Sequence, residues 1–178
     1  MALSLGDKRA YIKEGVNVKK WILFSILFIA IITGILVNVY LNAVEPVRAA
    51  EEKAVKIASD ETNLTDFSDF SLYSGEETYY VMTGKNARQE DVYVWVNEKN
   101  NEVETRNAKN GITKKEALNK LYEEKNPQEI IEVRLGMARI QKTDRPAWEI
   151  YYRNNSNTIN YYFVDFDTGE KLRAIDNL

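Results

Sequence analysis

Two aspartates stand one residue apart in Asp165-Phe166-Asp167-Thr168-Gly169-Glu170. Asp167-Thr168-Gly169 is the tripeptide that carries the catalytic aspartate of aspartic proteases. That chemistry needs two carboxylates sharing one proton, so a single D-T-G is half a site. Asp165 and Asp167 could also offer oxygens to Ca²⁺, but an EF-hand loop takes more ligands at set positions and ends on a bidentate glutamate. A third reading needs no chemistry. Val164 and Phe166 alternate into a strand, Gly169 can take positive φ, and Leu172 resumes the apolar face. Asp167, Thr168 and Gly169 then form a hairpin turn.

Composition removes most other chemistry. The 178-residue chain has no cysteine and no histidine. Thiolate nucleophiles, Cys-ligated metals, Ser-His-Asp triads and imidazole metal sites are therefore excluded. A net charge of −3 argues against nucleic acid as a partner. With only eight glycines there is no glycine-rich phosphate loop. No cofactor and no small-molecule substrate is indicated, and the expectation is a protein that is not an enzyme.

One segment is expected to cross a membrane, against the alternatives of a signal-peptide core or a buried helix. Residues 21–44, WILFSILFIAIITGILVNVYLNAV, carry no charge. As a helix they extend roughly 36 Å, enough for a ~30 Å hydrocarbon core and too long for the apolar part of a signal peptide. Residues 1–20 form a basic tail with Lys8, Arg9, Lys13, Lys19 and Lys20 against Asp7 and Glu14. The positive-inside rule puts this tail in the cytoplasm and residues 45–178 outside, as a single-pass cell-membrane protein. The outer part holds 19 basic and 25 acidic residues, a net of −6. Pro46 fits the first position of a helix, and no Ser/Gly/Pro-rich linker separates it from the span, which would keep the folded part near the membrane.

Residues 45–178 read as two copies of one unit, 45–110 and 111–178, with Gly111 at the boundary. The first opens with a helix from Pro46 to about Asp60. The second opens with a helix whose capping box is Thr113 and Glu116, ending at Asn126-Pro127. Strand-like segments follow each helix: 67–73, 78–83, 91–96 and 102–106, then 129–137, 147–153, 160–166 and 170–174. Aligning the copies sets Tyr79 and Val81 against Trp148 and Ile150, and Val92, Val94 and Val96 against Tyr162, Val164 and Phe166. Each unit is then one helix on an antiparallel sheet, an α+β fold. The loop matching D-T-G is Asn97-Glu98-Lys99, so the second protease aspartate is missing from this chain, although a homodimer could supply it.

The pattern A-W-E-I-Y-Y … Y-Y-F-V-D-F-D-T-G-E-K-L resembles a PepSY domain. A basic tail, one anchor and two such units resemble the YpmB/TseB-like family of Gram-positive bacteria, although the first copy matches PepSY poorly. The resemblance implies tandem cystatin-like folds and a role in cell-wall elongation through a penicillin-binding protein. As the alternative, a PepSY unit also suggests a protease inhibitor or protease regulator at the cell surface.

Aromatic residues crowd the central strands: Tyr79, Tyr80, Tyr93, Trp95, Trp148, Tyr151, Tyr152, Tyr161, Tyr162 and Phe163. Strand side chains alternate faces, so the pairs Tyr79-Tyr80, Tyr151-Tyr152 and Tyr161-Tyr162 place rings on both sides of each sheet. A helix covers only one side. Packing of one unit on the other is the default for the second side, since large exposed apolar patches are rare. The sharper expectation is a protein partner surface built from Tyr79, Tyr80, Tyr93, Trp95, Trp148, Tyr151, Tyr152, Tyr161 and Tyr162. Oligomeric state is left open by the sequence.

Overall fold

A computed structural model describes the backbone of residues 5–177 and the side chains of residues 18–177. The first four residues of the expected basic tail and Leu178 lie outside the described residues, as do the side chains of Lys8, Arg9 and Lys13. The chain divides into two compact units, Met1–Ala49 and Ala50–Leu178.

The first unit is helical. Helix α1 runs Leu5–Glu61, and its residues 18–49 expose every side chain, with Trp21 at 73% and Phe28 at 64%. An apolar helix that buries none of its surface in its own chain, and is long enough to cross a bilayer, is compatible with a single-pass anchor. Its few polar side chains are satisfied locally, as apolar surroundings require. Ser25 Oγ donates to the Trp21 carbonyl at 2.9 Å, Thr33 Oγ1 to that of Ile29 at 2.9 Å, and Asn42 Nδ2 to Asn38 Oδ1 at 3.0 Å. Pro46 does not start a helix. It lies inside α1, and the helix continues through it although proline offers no N–H to the Asn42 carbonyl. The separate opening helix expected for residues 45–110 is instead the last stretch of α1.

The second unit is α+β, with two four-stranded antiparallel sheets. The first has β1 (Thr65–Ser74), β2 (Thr78–Lys85), β3 (Asp91–Asn97) and β4 (Val103–Asn107) in that order. A 3₁₀ turn (Ala108–Asn110) leads to helix α2 (Lys114–Glu124). The second sheet has β5 (Pro127–Ile140), β6 (Thr143–Asn154), β7 (Ile159–Asp165) and β8 (Lys171–Ile175), again in order. Both sheets are meanders, so every strand pairs with its sequence neighbour.

Local chemistry accounts for the element ends. At α2, Thr113 Oγ1 accepts from the Glu116 N–H at 3.2 Å, and Glu116 Oε2 accepts from the Thr113 N–H at 2.7 Å, closing the expected capping box. Strand β1 carries Thr-Asp-Phe-Ser-Asp-Phe-Ser, with Phe67 and Phe70 three apart. A regular strand would send them to opposite faces. Register shifts between Thr65 and Ser68 and between Ser68 and Ser71, with Asp66 and Asp69 at φ 50 and 54, each absorb one residue. Both phenylalanines then pack on the same cluster.

That cluster joins the end of α1 to one face of the first sheet. Ala54 and Ala58 are fully buried with Tyr80, Met82, Val94 and Val96. The opposite face, with Tyr79, Val81 and Trp95, packs on the second sheet through Leu135, Met137, Trp148 and Phe166. Ala117 and Leu121 of α2 enter the same core beside Ile150, Tyr152, Tyr162 and Val164. The alignment of the copies is therefore one residue out of phase. Ile150 pairs with Tyr162 and shares its face, whereas Val94 pairs with Met82 and lies opposite Val81. The helix-facing residues of β2 are Tyr80 and Met82, not Tyr79 and Val81, because a one-residue slip in a strand exchanges its two faces.

Candidate functional site

The seam between the sheets is where the chain's aromatic and titratable groups converge. Tyr93 meets Trp148 edge-on at 6.4 Å between ring centroids and Phe166 at 5.6 Å, and Trp95 meets Phe166 at 6.1 Å. Ion pairs tie the sheets together around this apolar centre. Tyr73 of β1 donates to Glu149 Oε2 at 2.7 Å, and Arg134 holds Glu149 Oε1 through Nε at 3.0 Å and Nη2 at 2.7 Å. The Arg134 guanidinium lies over the Tyr73 ring at 5.1 Å. At another point Arg139 bridges Glu77 of the β1–β2 turn, at 3.0 Å, and Asp144 of the second sheet. Tyr79 donates to the same Asp144 at 3.0 Å. Arg139 beside Asp144 holds that carboxyl below its ordinary range.

The D-T-G segment belongs to this set of ties. Asp165, Asp167, Thr168 and Gly169 form the β7–β8 hairpin turn. The Gly169 N–H donates to the Asp165 carbonyl at 3.0 Å, and Gly169 has φ 72. Asp165 is buried. Its Oδ1 accepts from the Thr168 N–H at 2.8 Å, and its Oδ2 meets Arg145 at 2.8 Å. Asp167 reaches across to Arg106 of β4, with both carboxylate oxygens 3.1 Å from Nε. Each aspartate is thus committed to a guanidinium, and Asp167 helps dock the first sheet on the second. Replacement should separate the two roles. Asp165→Ala is expected to lower unfolding stability by about 2 kcal/mol through the lost turn bond and the unpaired Arg145. Asp167→Ala, a half-exposed pair, should change it by less than ~1 kcal/mol. Denaturant titration of the two variants compares them directly.

Among the nine aromatics expected to form a partner surface, six are core. Tyr79, Tyr80, Trp95, Trp148, Tyr152 and Tyr162 are all buried. Tyr80 lies under the end of α1, Tyr152 and Tyr162 beside α2, and Tyr79, Trp95 and Trp148 in the seam. Side chains this deeply buried offer too little area for a docking surface, so that expectation is corrected for these six. Tyr93, Tyr151 and Tyr161 remain half-exposed. Tyr93 and the edge of Trp148 line a cleft of about 510 Å³ between the sheets, with Val133, Asp69, Asp91 and Lys114. Tyr151 and Tyr161 stack at 4.8 Å on the outer face of the second sheet, beside Phe163, which lies under Arg173.

Sequence reasoning missed the residues that fasten this outer face. Glu76, in the β1–β2 turn, reaches Arg173 of β8 at 3.3 Å. Tyr73 lies on Gly136 of β5 so closely that a Cβ there would stand 2.1 Å from the ring. A glycine inside an apolar strand is the available signal, since it marks a close approach.

The family model for the cell wall elongation regulator TseB-like domain matches residues 53–97. The "Probable cell wall elongation regulator TseB" of Bacillus subtilis (strain 168) is 27% identical over 161 residues, spanning 88% of this chain and 98% of that one. The solved YpmB protein from Bacillus subtilis superposes with a TM-score of 0.63 at 28% identity, covering 70% of this chain and 94% of that chain. In sequence and in fold the chain is similar to TseB-like proteins. The TseB-like match falls on the end of α1 and on β1–β3.

Proposed function

We propose that this TseB-like chain is a non-enzymatic interaction protein that regulates cell-wall elongation by binding a penicillin-binding protein at the membrane. The observation that carries the proposal is similarity along 98% of the length of a probable cell wall elongation regulator. In this reading residues 1–20 are cytoplasmic and 21–44 span the membrane of a Gram-positive cell. Residues 45–110 and 111–178 are tandem PepSY-like, cystatin-like units outside it. The first borrows the end of α1 as its helix and the second uses α2. The non-enzymatic character is supported by the commitment of both turn aspartates to Arg145 and Arg106.

The stacked Tyr151 and Tyr161 are the aromatics best placed to meet such a partner. Tyrosines contribute heavily at interfaces when their rings are accessible and rigid. A photo-crosslinking residue at Tyr161, in the full chain in cells, should capture a penicillin-binding protein, and the same residue at buried Tyr162 should not. Capture of a surface protease instead would replace this proposal with the protease-regulating alternative.

A further inference from the structure

The four edge strands are β1 and β4 in one sheet and β5 and β8 in the other. An edge strand displays unpaired N–H and C=O groups, and proteins blunt such edges with bulges. Strand β1 meets β2 through two register shifts, β5 meets β6 through two, and β8 meets β7 through one. Strand β4 pairs with β3 without a break, from Val103 opposite Val96 to Asn107 opposite Val92. It is the one edge, among the described residues, left straight.

The phase of its hydrogen bonds follows from one contact. The Asn97 N–H donates to the Glu102 carbonyl at 2.9 Å. Antiparallel alternation then turns the backbone groups of Glu104 and Arg106 toward β3, and those of Val103 and Thr105 toward the open edge. The Thr105 carbonyl accepts from Arg106 Nη1 at 2.8 Å. The Thr105 N–H and both backbone groups of Val103 are left for another strand.

A groove of about 640 Å³ follows this edge, within the range of clefts that hold ligands. Residues 102–105 line it, together with Glu61 at the end of α1, Met137 of β5 and Asp144 of β6. Four carboxylates line the groove, those of Glu61, Glu102, Glu104 and Asp144, and no lysine or arginine does. Glu104 and Asp144 pair with Arg106 and Arg139. Glu61 and Glu102 make no ion pair among the described residues.

We propose that β4 receives an extended, basic segment of a partner protein as a fifth strand of the first sheet. The backbone groups of Val103 and Thr105 supply the pairing, and Glu61 and Glu102 select lysine or arginine side chains. The inference gives a mode of contact to the interaction-protein reading and rests on it.

The test uses the full chain in lipid nanodiscs. The probe is a short blocked peptide of alternating lysine and threonine, with its glutamate–threonine counterpart as control. The basic peptide should slow hydrogen exchange at the Val103 and Thr105 amides. Glu61→Gln with Glu102→Gln should weaken its binding about tenfold. Thr105→Pro should abolish binding while keeping the fold, because an outward edge position has no ladder bond to lose. No protection by the basic peptide, equal binding of the acidic one, or unchanged binding to Thr105→Pro overturns the inference. So does protection that appears without peptide as protein concentration rises, which would put a second copy on the edge. Capture of a penicillin-binding protein that survives Thr105→Pro would keep the proposed function and remove this mode of contact. Loss of all capture with peptide binding intact would do the reverse.

Discussion

Gly136→Ala should destabilise the folded unit by about 3–5 kcal/mol, although alanine in place of glycine normally favours an unobstructed strand. The added Cβ would lie 2.1 to 2.5 Å from three atoms of the Tyr73 ring, too close for any rotamer adjustment at position 136 itself. The ring must move, and it carries polar ties with it. Tyr73 would leave Glu149, which is 4% exposed, and Arg134 would lose the ring it covers. Overpacking of this kind costs ~1–3 kcal/mol, and a buried carboxylate oxygen left without its donor adds ~1–3 kcal/mol. Urea unfolding of the full chain in micelles, read by the fluorescence of Trp95 and Trp148 near the seam, measures the sum. A coupled pair makes the cause specific. In Tyr73→Ala with Gly136→Ala, the clash is gone, so the double variant should be less destabilised than the two single losses added together. Simple additivity would mean the glycine acts some other way.

Alkali should unfold this protein cooperatively, with stability unchanged below about pH 10 and falling through about pH 12. Five tyrosines lie in the interior, Tyr73, Tyr79, Tyr80, Tyr152 and Tyr162, each facing a carboxylate. Burial pushes the Tyr79 and Tyr152 hydroxyls up to about 12, helped by Asp144 and Asp176. Tyr73 and Tyr162 rise further, again mainly through burial, with Glu149 and Glu124 adding to it. The unfolded chain gives up phenolic protons near pH 10, and the folded chain keeps them. The folded state is therefore favoured by protonation, and that advantage is present below pH 10 and lost as pH rises through the folded values. A tenfold difference in proton affinity between the folded and unfolded chain is worth ~1.4 kcal/mol per group, so several groups together reach the ~5–15 kcal/mol that holds an ordinary domain. The last part of the rise in tyrosinate absorbance, from the buried rings, should coincide with the loss of far-ultraviolet circular dichroism. Complete tyrosinate absorbance near pH 10 with the fold intact would contradict the burial described here.

The sheet architecture was legible because its signals are local. Alternating side chains marked all eight strands, to within a few residues at their ends. The Thr113–Glu116 box marked the start of α2, and the uncharged run 21–44 marked the apolar part of α1. The D-T-G turn could be assigned because a hairpin needs only strand alternation on both sides and a residue that accepts positive φ between them. The start of the first helix was misread for the same local reason. Pro46 is favourable at a first turn, and only the continuity of α1 on either side makes it internal.

Which surface each aromatic meets was not local information. Tyr79-Tyr80 says that the two rings point to opposite faces. It does not say that α1 covers Tyr80 while the second sheet covers Tyr79. The alignment of the copies slipped by one residue there, because a two-residue period matches equally well in either phase when both faces are apolar. Glu149, Arg134 and Tyr73 are scattered over 77 residues of sequence and carry no spacing that joins them. Sequence by itself determined the apolar helix, the strands and the turn, since each rests on interactions between near neighbours. Tertiary structure alone decided which aromatics became core, which two tyrosines stayed stacked at the surface, and which sheet edge stayed open. Those outcomes depend on what packs against a face, which is a property of distant segments.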